Sequence, residues 1–367
     1  MAATVSLVRT QRGIREALID ALDRIGGLGR FVGRGDRVLL KPNLNGMDGY
    51  TDRAMTGALI ELLIDLGAGG ICIAESTFGD AEATDRYFHE TGYVALAARY
   101  GIPLHNLNRS EAVEVPVKEP LALERLPVAR EFFEADRIVN LPNMKVHYAT
   151  GITLALKNMK GFLVGDAKRR CHDAGLDHAI VDINNTLRPH LNVVDAISCM
   201  ERMGPRGGDP VRLDLVMAGG DPAEVDCVGC AVMGYAIDEV RHLKAIVDSR
   251  GIDPEGIVTA GERVEDVRRP FRRVAVEELV PANFRVRGRS ACSSCVNAFL
   301  LACRHMETAP AGPVEVFMGT AVEEVEASGA FRIAFGNCCP GDLACELRIP
   351  GCPPIPYALN ERLKKGG

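Results

Sequence analysis

The sequence predicts an α/β protein in which a three-layer, mainly parallel sheet is followed by a small C-terminal cysteine-rich α+β unit. Over the first two thirds of the 367 residues, short apolar runs alternate with segments whose apolar residues recur at helical spacing. The runs are nearly unbroken, as is typical of strands buried on both faces. Seven of the twelve cysteines lie from residue 292 onward. We therefore predict a body at 1–285 and a cysteine-rich unit at 286–367.

The body is predicted to contain a βαβ unit near its start. A strand at 36–42 ends in a proline, a second strand covers 70–75, and the apolar residues between Met55 and Leu66 fall on one face of a helix. Further strands are predicted at 137–141, 191–196 and 213–218. Because helices separate most of these strands, a mainly parallel sheet follows.

The remaining elements are predicted from capping signals and composition. Asp221 and Pro222 are typical of a helix start, and that helix runs to Met233. Residues 1–27 read as a soluble helix, and the charged stretch 251–290 reads as a connection between the two domains. The cysteine-rich unit is predicted to hold one helix, strands at 314–318 and 331–335, and a last helix after Pro356.

Charge and hydropathy exclude several classes of protein. The 43 basic and 49 acidic residues give a net charge of −6, so the broad basic surface of a nucleic-acid-binding protein is not expected. No apolar stretch reaches the roughly 18 to 20 residues that cross a bilayer. We expect a cytoplasmic protein, whose cysteines remain reduced and available to a metal.

The first pair of metal-ligand candidates is Cys292 and Cys295. A helix capped by Ser290 would place both in its first turn and on one face, within reach of one metal centre. Cys303 lies on the same face but roughly 16 Å further along the helix axis, so we exclude it as a ligand.

The second pair of candidates is Cys338 and Cys352. Cys338 and Cys339 are adjacent and point to opposite sides of an extended chain, so one of them serves the site, and Cys345 is a reserve ligand. We choose Cys338. Four thiolates supplied as a CxxC pair and two later single cysteines suit a [4Fe–4S] cluster or, alternatively, a tetrahedral zinc ion. Structural zinc sites usually use two short CxxC-like motifs, so the cluster is favoured.

Polar residues that follow the predicted strands indicate a second site. Ligands bind beyond the carboxyl ends of strands in open α/β sheets, and several amines and amides there would bind a carboxylate or phosphate. The expected substrate is therefore an anionic small molecule. The substrate-binding candidates are Lys41, Asn43, Asn143, Lys145, Lys157 and Asn158. His147 and His172 are the candidates for proton transfer.

Several segments resemble the family called domain of unknown function 362. The resemblance covers about residues 36–235 and extends to the cysteine motifs of the C-terminal unit. The matching segments are KPNLNG at 41–46, NLPNMKVH at 140–147, TLALKNMKG at 153–161, VDAISCMERMGPRGG at 194–208 and GGDPAEVDCVGCAVMG at 219–234. The resemblance implies an iron–sulfur protein that is related to redox chemistry, and it implies no particular substrate.

Two functional hypotheses follow from the sequence. The first is an iron–sulfur oxidoreductase that acts on the anionic substrate and receives electrons from a donor protein. The second is a non-redox isomerase, lyase or binding protein in which zinc or a cluster only stabilises the C-terminal unit. Under the second hypothesis the body would act on an acidic substrate, and its KxH pattern after a strand is faintly similar to lactate racemase-like proteins.

Overall fold

A computed structural model describes residues 4–44, 46–307, 309–320 and 329–365. The chain forms two compact units, Met1–Arg273 and Val274–Gly367. This division falls before the boundary at 285/286 that the sequence suggested, because residues from 284 onward pair with a strand of the second unit. Among the described helices, none has the length and apolar character needed to cross a lipid bilayer.

The first unit is built on one large sheet. Its strands are β1 (Thr4–Arg9), β2 (Arg37–Pro42), β3 (Gly70–Glu75), β4 (Leu104–Asn106), β5 (Ala112–Pro116), β6 (Arg125–Ala129), β7 (Arg137–Leu141), β8 (Asn143–His147), β9 (Gly151–Thr153), β10 (Leu191–Glu201), β11 (Asp209–Gly219) and β12 (Val258–Gly261). The order across the sheet is β12-β1-β11-β10-β7-β2-β3-β4, with β8 and β9 joined through β10. β5 and β6 form a separate hairpin. Within the large sheet, pairing is parallel except for β1 with β11, β10 with β11, and β8 with β9. The predicted α/β class with a mainly parallel sheet is confirmed.

Helices cover both faces of this sheet. They are α1 (Ile14–Asp23), α2 (Arg53–Leu66), α3 (Ala81–Glu90), α4 (Tyr93–Tyr100), α5 (Glu131–Glu134), α6 (Ala155–Asn158), α7 (Ala167–Asp173), α8 (Leu176–Thr186), α9 (Pro222–Met233), α10 (Arg241–Arg250) and α11 (Val264–Val267). Successive residues of β2 alternate between two apolar cores: Leu39 packs with α6, α8 and α9, whereas Val38 and Leu40 pack with α1 and α2. This alternation gives the three predicted layers.

Two predictions about secondary structure are wrong. Residues Thr4–Arg9 form β1 rather than a helix, because their backbone pairs with β11 on one side and β12 on the other, and the helix begins only at Ile14. The stretch 251–290 is not a plain connection, since β12 pairs in parallel with β1. Both β1 and β12 form because they pair with residues far away in the sequence.

Over its described residues, the second unit is a small parallel sheet with three helices. Its strands are β13 (Phe284–Ser290), β14 (Val314–Gly319), β15 (Phe331–Phe335) and β16 (Leu347–Ile349), and its helices are α12 (Val276–Leu279), α13 (Ser293–Arg304) and α14 (Pro356–Lys365). All adjacent strands run parallel, in the order β13-β14-β15-β16. Phe299 of α13 packs on Phe335 of β15 with ring centroids 5.8 Å apart, in the centre of the apolar core.

Candidate functional site

A buried ion pair lies at the carboxyl ends of β2 and β3. Lys41 Nζ is 2.7 Å from Glu75 Oε1, and both side chains are almost completely buried. The Glu75 carboxylate also accepts the backbone N–H groups of Leu44 and Ser76. A Cβ atom built on Gly161 would lie 2.4 Å from Lys41 Cε and 2.6 Å from Glu75 Oε1. Glycine at this position is therefore what allows the chain to pass over the pair.

A chain of amide side chains extends from this ion pair through the sheet. Asn43 accepts a hydrogen bond from Lys145 Nζ at 2.8 Å and donates to Asn158 at 3.1 Å. Asn158 donates in turn to the Lys41 carbonyl and to Asn140 Oδ1. These contacts join four of the predicted substrate-binding residues in one network, as the sequence suggested from their places after the strands. Asn45, which also follows β2 in the sequence, lies outside the residues that the structure describes.

The predicted residues after β7 form a strand of their own. Asn143, Lys145 and His147 occupy alternate positions of β8, so they project from one face of it. Asn143 Nδ2 donates to Asp195 Oδ2 and to the Ser198 carbonyl, whereas its Oδ1 is buried and has no hydrogen-bond partner among the described residues. Lys145 is completely buried and makes no ion pair with a described carboxylate.

The two predicted catalytic histidines lie near a second group of lysines. His172 Nε2 is 2.8 Å from Lys160 Nζ, and the charges of Lys157 and Lys160 lower the pKa of both His147 and His172 in addition to the larger effect of burial. His147 Nδ1 accepts the backbone N–H groups of Ala149 and Thr150, so its proton is on Nε2. Both rings are therefore neutral near pH 7.

Burial changes the protonation of the lysines. It lowers the pKa of Lys145 to about 7, with Arg206 as the next cause. It also lowers the pKa of Lys157 well below its usual value, and that of Lys168 to about 7. An anion bound beside these amines would favour their charged forms. The site is therefore suited to an anionic ligand.

Sequence reasoning missed several members of the site. Lys168 donates to the carbonyl groups of Ser76 and Thr77 and to Asn108, and Glu75 completes the ion pair with Lys41. Asp177 and His242 form a further pair on α8 and α10. Three of these residues, Lys168, Asp177 and His242, lie in helices. The rule that ligands bind beyond the carboxyl ends of strands therefore does not point to them. Glu75, by contrast, ends β3 and could have been found in that way.

The predicted metal ligands follow the carboxyl ends of three parallel strands of the second unit. Cys292 follows β13, Cys338 follows β15 and Cys352 follows β16, while Cys295 lies in the first turn of α13. The pKa of Cys295 is raised, most strongly by a hydrogen bond with Cys292, then by burial and by the charges of Cys352 and Cys338. The four predicted thiols are thus close enough to affect one another.

The loops that carry Cys338 and Cys352 are joined by backbone contacts. Gly336 N donates to the Ile349 carbonyl, and Asn337 N donates to the Gly351 carbonyl, both at 2.9 Å. Asn337 Oδ1 accepts from Gly351 N at 2.7 Å. Gly336 has a φ of +104°, and a Cβ there would lie 3.2 Å from Cys295 Sγ. The glycine therefore leaves space beside the thiol.

The other C-terminal cysteines point elsewhere. The Cys339 thiol is buried and donates to the Phe317 carbonyl at 3.2 Å, and Cys345 packs against the same small cluster. Cys303 is buried in the main core of the unit. One detail of the prediction is wrong: Ser290 ends β13 because it pairs with Gly319 of β14, so the helix starts at Ser293 and Cys292 is its N-cap.

The four thiols do not surround the position of a single ion. In the described ranges, no three histidine, cysteine, aspartate or glutamate side chains are arranged to hold one metal ion. Cys338 and Cys352 are exposed, Cys292 is partly buried and Cys295 is buried. The donor set is entirely thiol, the chemistry that both zinc and iron–sulfur clusters accept.

Comparison with known proteins establishes the family. The sequence profile of the family described as Domain of unknown function (DUF362) matches residues 38–231, which is more than half of the chain. This chain belongs to the DUF362 family. The match confirms the resemblance seen in the sequence, and it includes β2, β3, β7 and β8, which carry the buried polar network.

Similar proteins are known from sequence and from structure. A thylakoid-associated protein of Synechocystis is 29% identical over 243 residues, which cover 62% of this DUF362 chain and 74% of that protein. A crystal structure of a Thermotoga maritima protein has a TM-score of 0.41 at 13% identity, covering 84% of this chain and 70% of the other. The lactate racemase apoprotein of Thermoanaerobacterium thermosaccharolyticum has a TM-score of 0.37 at 10% identity, with coverages of 86% and 68%.

Proposed function

We propose that this chain is an iron–sulfur oxidoreductase that acts on an anionic small molecule. The observation that carries the proposal is the placement of Cys292, Cys295, Cys338 and Cys352 at one edge of a parallel sheet, where their thiols affect one another. A [4Fe–4S] cluster bound there would store and release single electrons. An electron-donor protein would be the expected partner, and a cytoplasmic location would keep the twelve free cysteines reduced.

The buried amines of the first unit support the anionic substrate. Lys145 and Lys157 are buried and make no ion pair with any described carboxylate, in contrast to Lys41. A buried ammonium group without a counter-ion is costly, so a carboxylate or phosphate would be bound strongly there. Asn43 accepts a hydrogen bond from the Lys145 amine and donates in turn to Asn158, and His147 or His172 would exchange the proton.

The cluster is tested on full-length protein purified without oxygen. We expect a broad absorbance band near ~400 nm, about four irons and four sulfides per chain, and an electron paramagnetic resonance signal after reduction. Cys338→Ser and Cys352→Ser should lose the band, whereas Cys303→Ser and Cys339→Ser should keep it, because those thiols point into the core. Colourless protein with one zinc per chain would reject the redox proposal.

The anion site is tested by titrating the same protein with phosphate and with dicarboxylates. Binding should weaken by about tenfold or more in Lys145→Met and Lys157→Met, since each variant removes an amine whose charged form a bound anion would favour. Lys244→Met is the control, because that lysine is exposed and pairs with Asp248 on α10. Equal affinity in all three variants would contradict the assignment.

A second candidate function is supported by the protonation of the site. Burial raises the pKa of Asp195 to about 6 and lowers that of Lys145 to about 7, so a carboxyl and an amine near each other both titrate close to neutrality. Such a pair suits proton transfer in an isomerase or lyase. If Cys352→Ser loses the cluster but keeps turnover, this non-redox function is correct and the cluster or a zinc ion is structural.

A further inference from the structure

Asp177 and His242 form a hydrogen-bonded pair in the first unit. His242 Nδ1 lies 3.0 Å from Asp177 Oδ1, and the His242 side chain is 1% exposed. A carboxylate at this distance accepts the Nδ1 proton, so the lone pair of the neutral ring is left on Nε2. That nitrogen is buried and has no hydrogen-bond partner among the described residues. Such an acceptor is costly unless a ligand donates to it.

This pair lies beside the lysines and histidines of the proposed anion site. Besides burial, the charge of Lys157 lowers the pKa of His242, and the charge of His242 lowers the pKa of His147. The start of β9 packs against the residue before α10, since a Cβ on Gly151 would lie 3.2 Å from Val240 Cγ2. Burial and Lys157 lower the pKa of His242, while Asp177 opposes them. The ring is therefore neutral near pH 7, with Nε2 able to accept.

We propose that His242, oriented by Asp177, accepts the hydroxyl hydrogen of a hydroxylated anion whose acidic group is bound by Lys157. The inference rests on the proposed anion site and narrows its ligand to anions that also carry a hydroxyl. When the hydroxyl is deprotonated, its O–H bond breaks, the electron pair stays on oxygen and the proton forms a bond to Nε2. The Asp177 carboxylate then faces the imidazolium. His242 is the catalytic residue and Asp177 is its positioning residue.

The binding test uses matched pairs of anions that differ by one hydroxyl: glycolate against acetate, and malate against succinate. In full-length protein the hydroxylated member should bind about five- to tenfold more tightly. His242→Gln should remove this difference, so that both members of each pair bind with equal affinity. His178→Gln is the control, because His178 is an exposed histidine on the same helix as Asp177 and should keep the difference.

A second measurement reads the ring directly and does not depend on turnover. In protein labelled with 15N-histidine, the His242 signals should show a proton on Nδ1 and none on Nε2, and malate but not succinate should shift the Nε2 signal. Asp177→Asn keeps the ring while weakening the preference for this tautomer, so it serves if His242→Gln does not fold. A proton on Nε2 in the free protein would overturn the inference.

The outcomes separate this inference from the proposed function. If both members of a pair bind with equal affinity, or the difference persists in His242→Gln, the inference is wrong and the anion site stands. If no anion binds to the unmodified protein, the anion site itself fails and the inference fails with it.

Discussion

Replacing Gly161 with alanine would test the buried ion pair between Lys41 and Glu75. The added methyl group would lie 2.4 Å from Lys41 Cε, 2.5 Å from Lys41 Nζ and 2.6 Å from Glu75 Oε1, so the pair must move. Neither partner is free to do so. Lys41 Nζ also donates to the Pro42 carbonyl at 2.9 Å, and Glu75 accepts the backbone N–H groups of Leu44 and Ser76.

The expected loss of stability follows from these contacts. Overpacking a buried site costs about 1 to 3 kcal/mol, and losing one hydrogen bond to a charged group costs about 1.5 to 3 kcal/mol. We therefore expect Gly161→Ala to lower the free energy of unfolding of the first unit by about 2.5 to 6 kcal/mol. At roughly 2 °C per kcal/mol for a unit of this size, Tm should fall by about 5 to 12 °C.

Thermal unfolding followed by circular dichroism measures this change. Gly70→Ala is the control, because Gly70 is exposed and the nearest atom to its Cβ would be Arg37 Cγ at 3.9 Å. The effect of Gly161→Ala should also be smaller in a Glu75→Gln background, where the ion pair is already lost. Equal Tm values for the two glycine variants would refute the reasoning.

Three further substitutions give distinct expectations. Lys145→Met should stabilise the first unit below about pH 7, because folding buries a lysine whose pKa falls from 10.5 to about 7. This gain should shrink as the pH rises from 7 to 10.5, because over that range only the unfolded chain holds the proton. Urea unfolding at several pH values measures the change. Gly336→Ala should reduce the iron content of the protein, because it combines a strained φ of +104° with a Cβ 3.2 Å from Cys295 Sγ. Gly341→Ala, whose Cβ would meet no atom within 4 Å, should leave the iron content unchanged, and iron analysis measures both. Asp226→Ala should destabilise the first unit by about 3 kcal/mol in urea, because it leaves the backbone N–H groups of Ala155 and Leu156 without their acceptor.

Local sequence signals predicted the elements that depend on local forces. β3 and β7 have the predicted bounds, and Asp221 caps α9 by accepting from Ala223 N as its position implied. These elements are an apolar run between turn residues or a helix with a capping residue. Their sequence is therefore sufficient to identify them.

The missed elements depend on distant partners. β1 is set by β11, about two hundred residues later, and β8 contains Asn143, Lys145 and His147, which do not look like buried residues in the sequence. These side chains are buried because other polar side chains satisfy them. The same reason explains why His242 could not be predicted: its partner lies on another helix.

The all-parallel order of the second sheet determines when its thiols can meet during synthesis. Parallel neighbours cannot be joined by a tight hairpin, so Cys292 and Cys352 come from opposite ends of the unit's chain. The edge that carries them is complete only after β16 has docked beside β15. A nascent chain on the ribosome therefore exposes Cys292 and Cys295 well before Cys338 and Cys352 emerge, and the early thiols wait in the reduced form until the later two have been made.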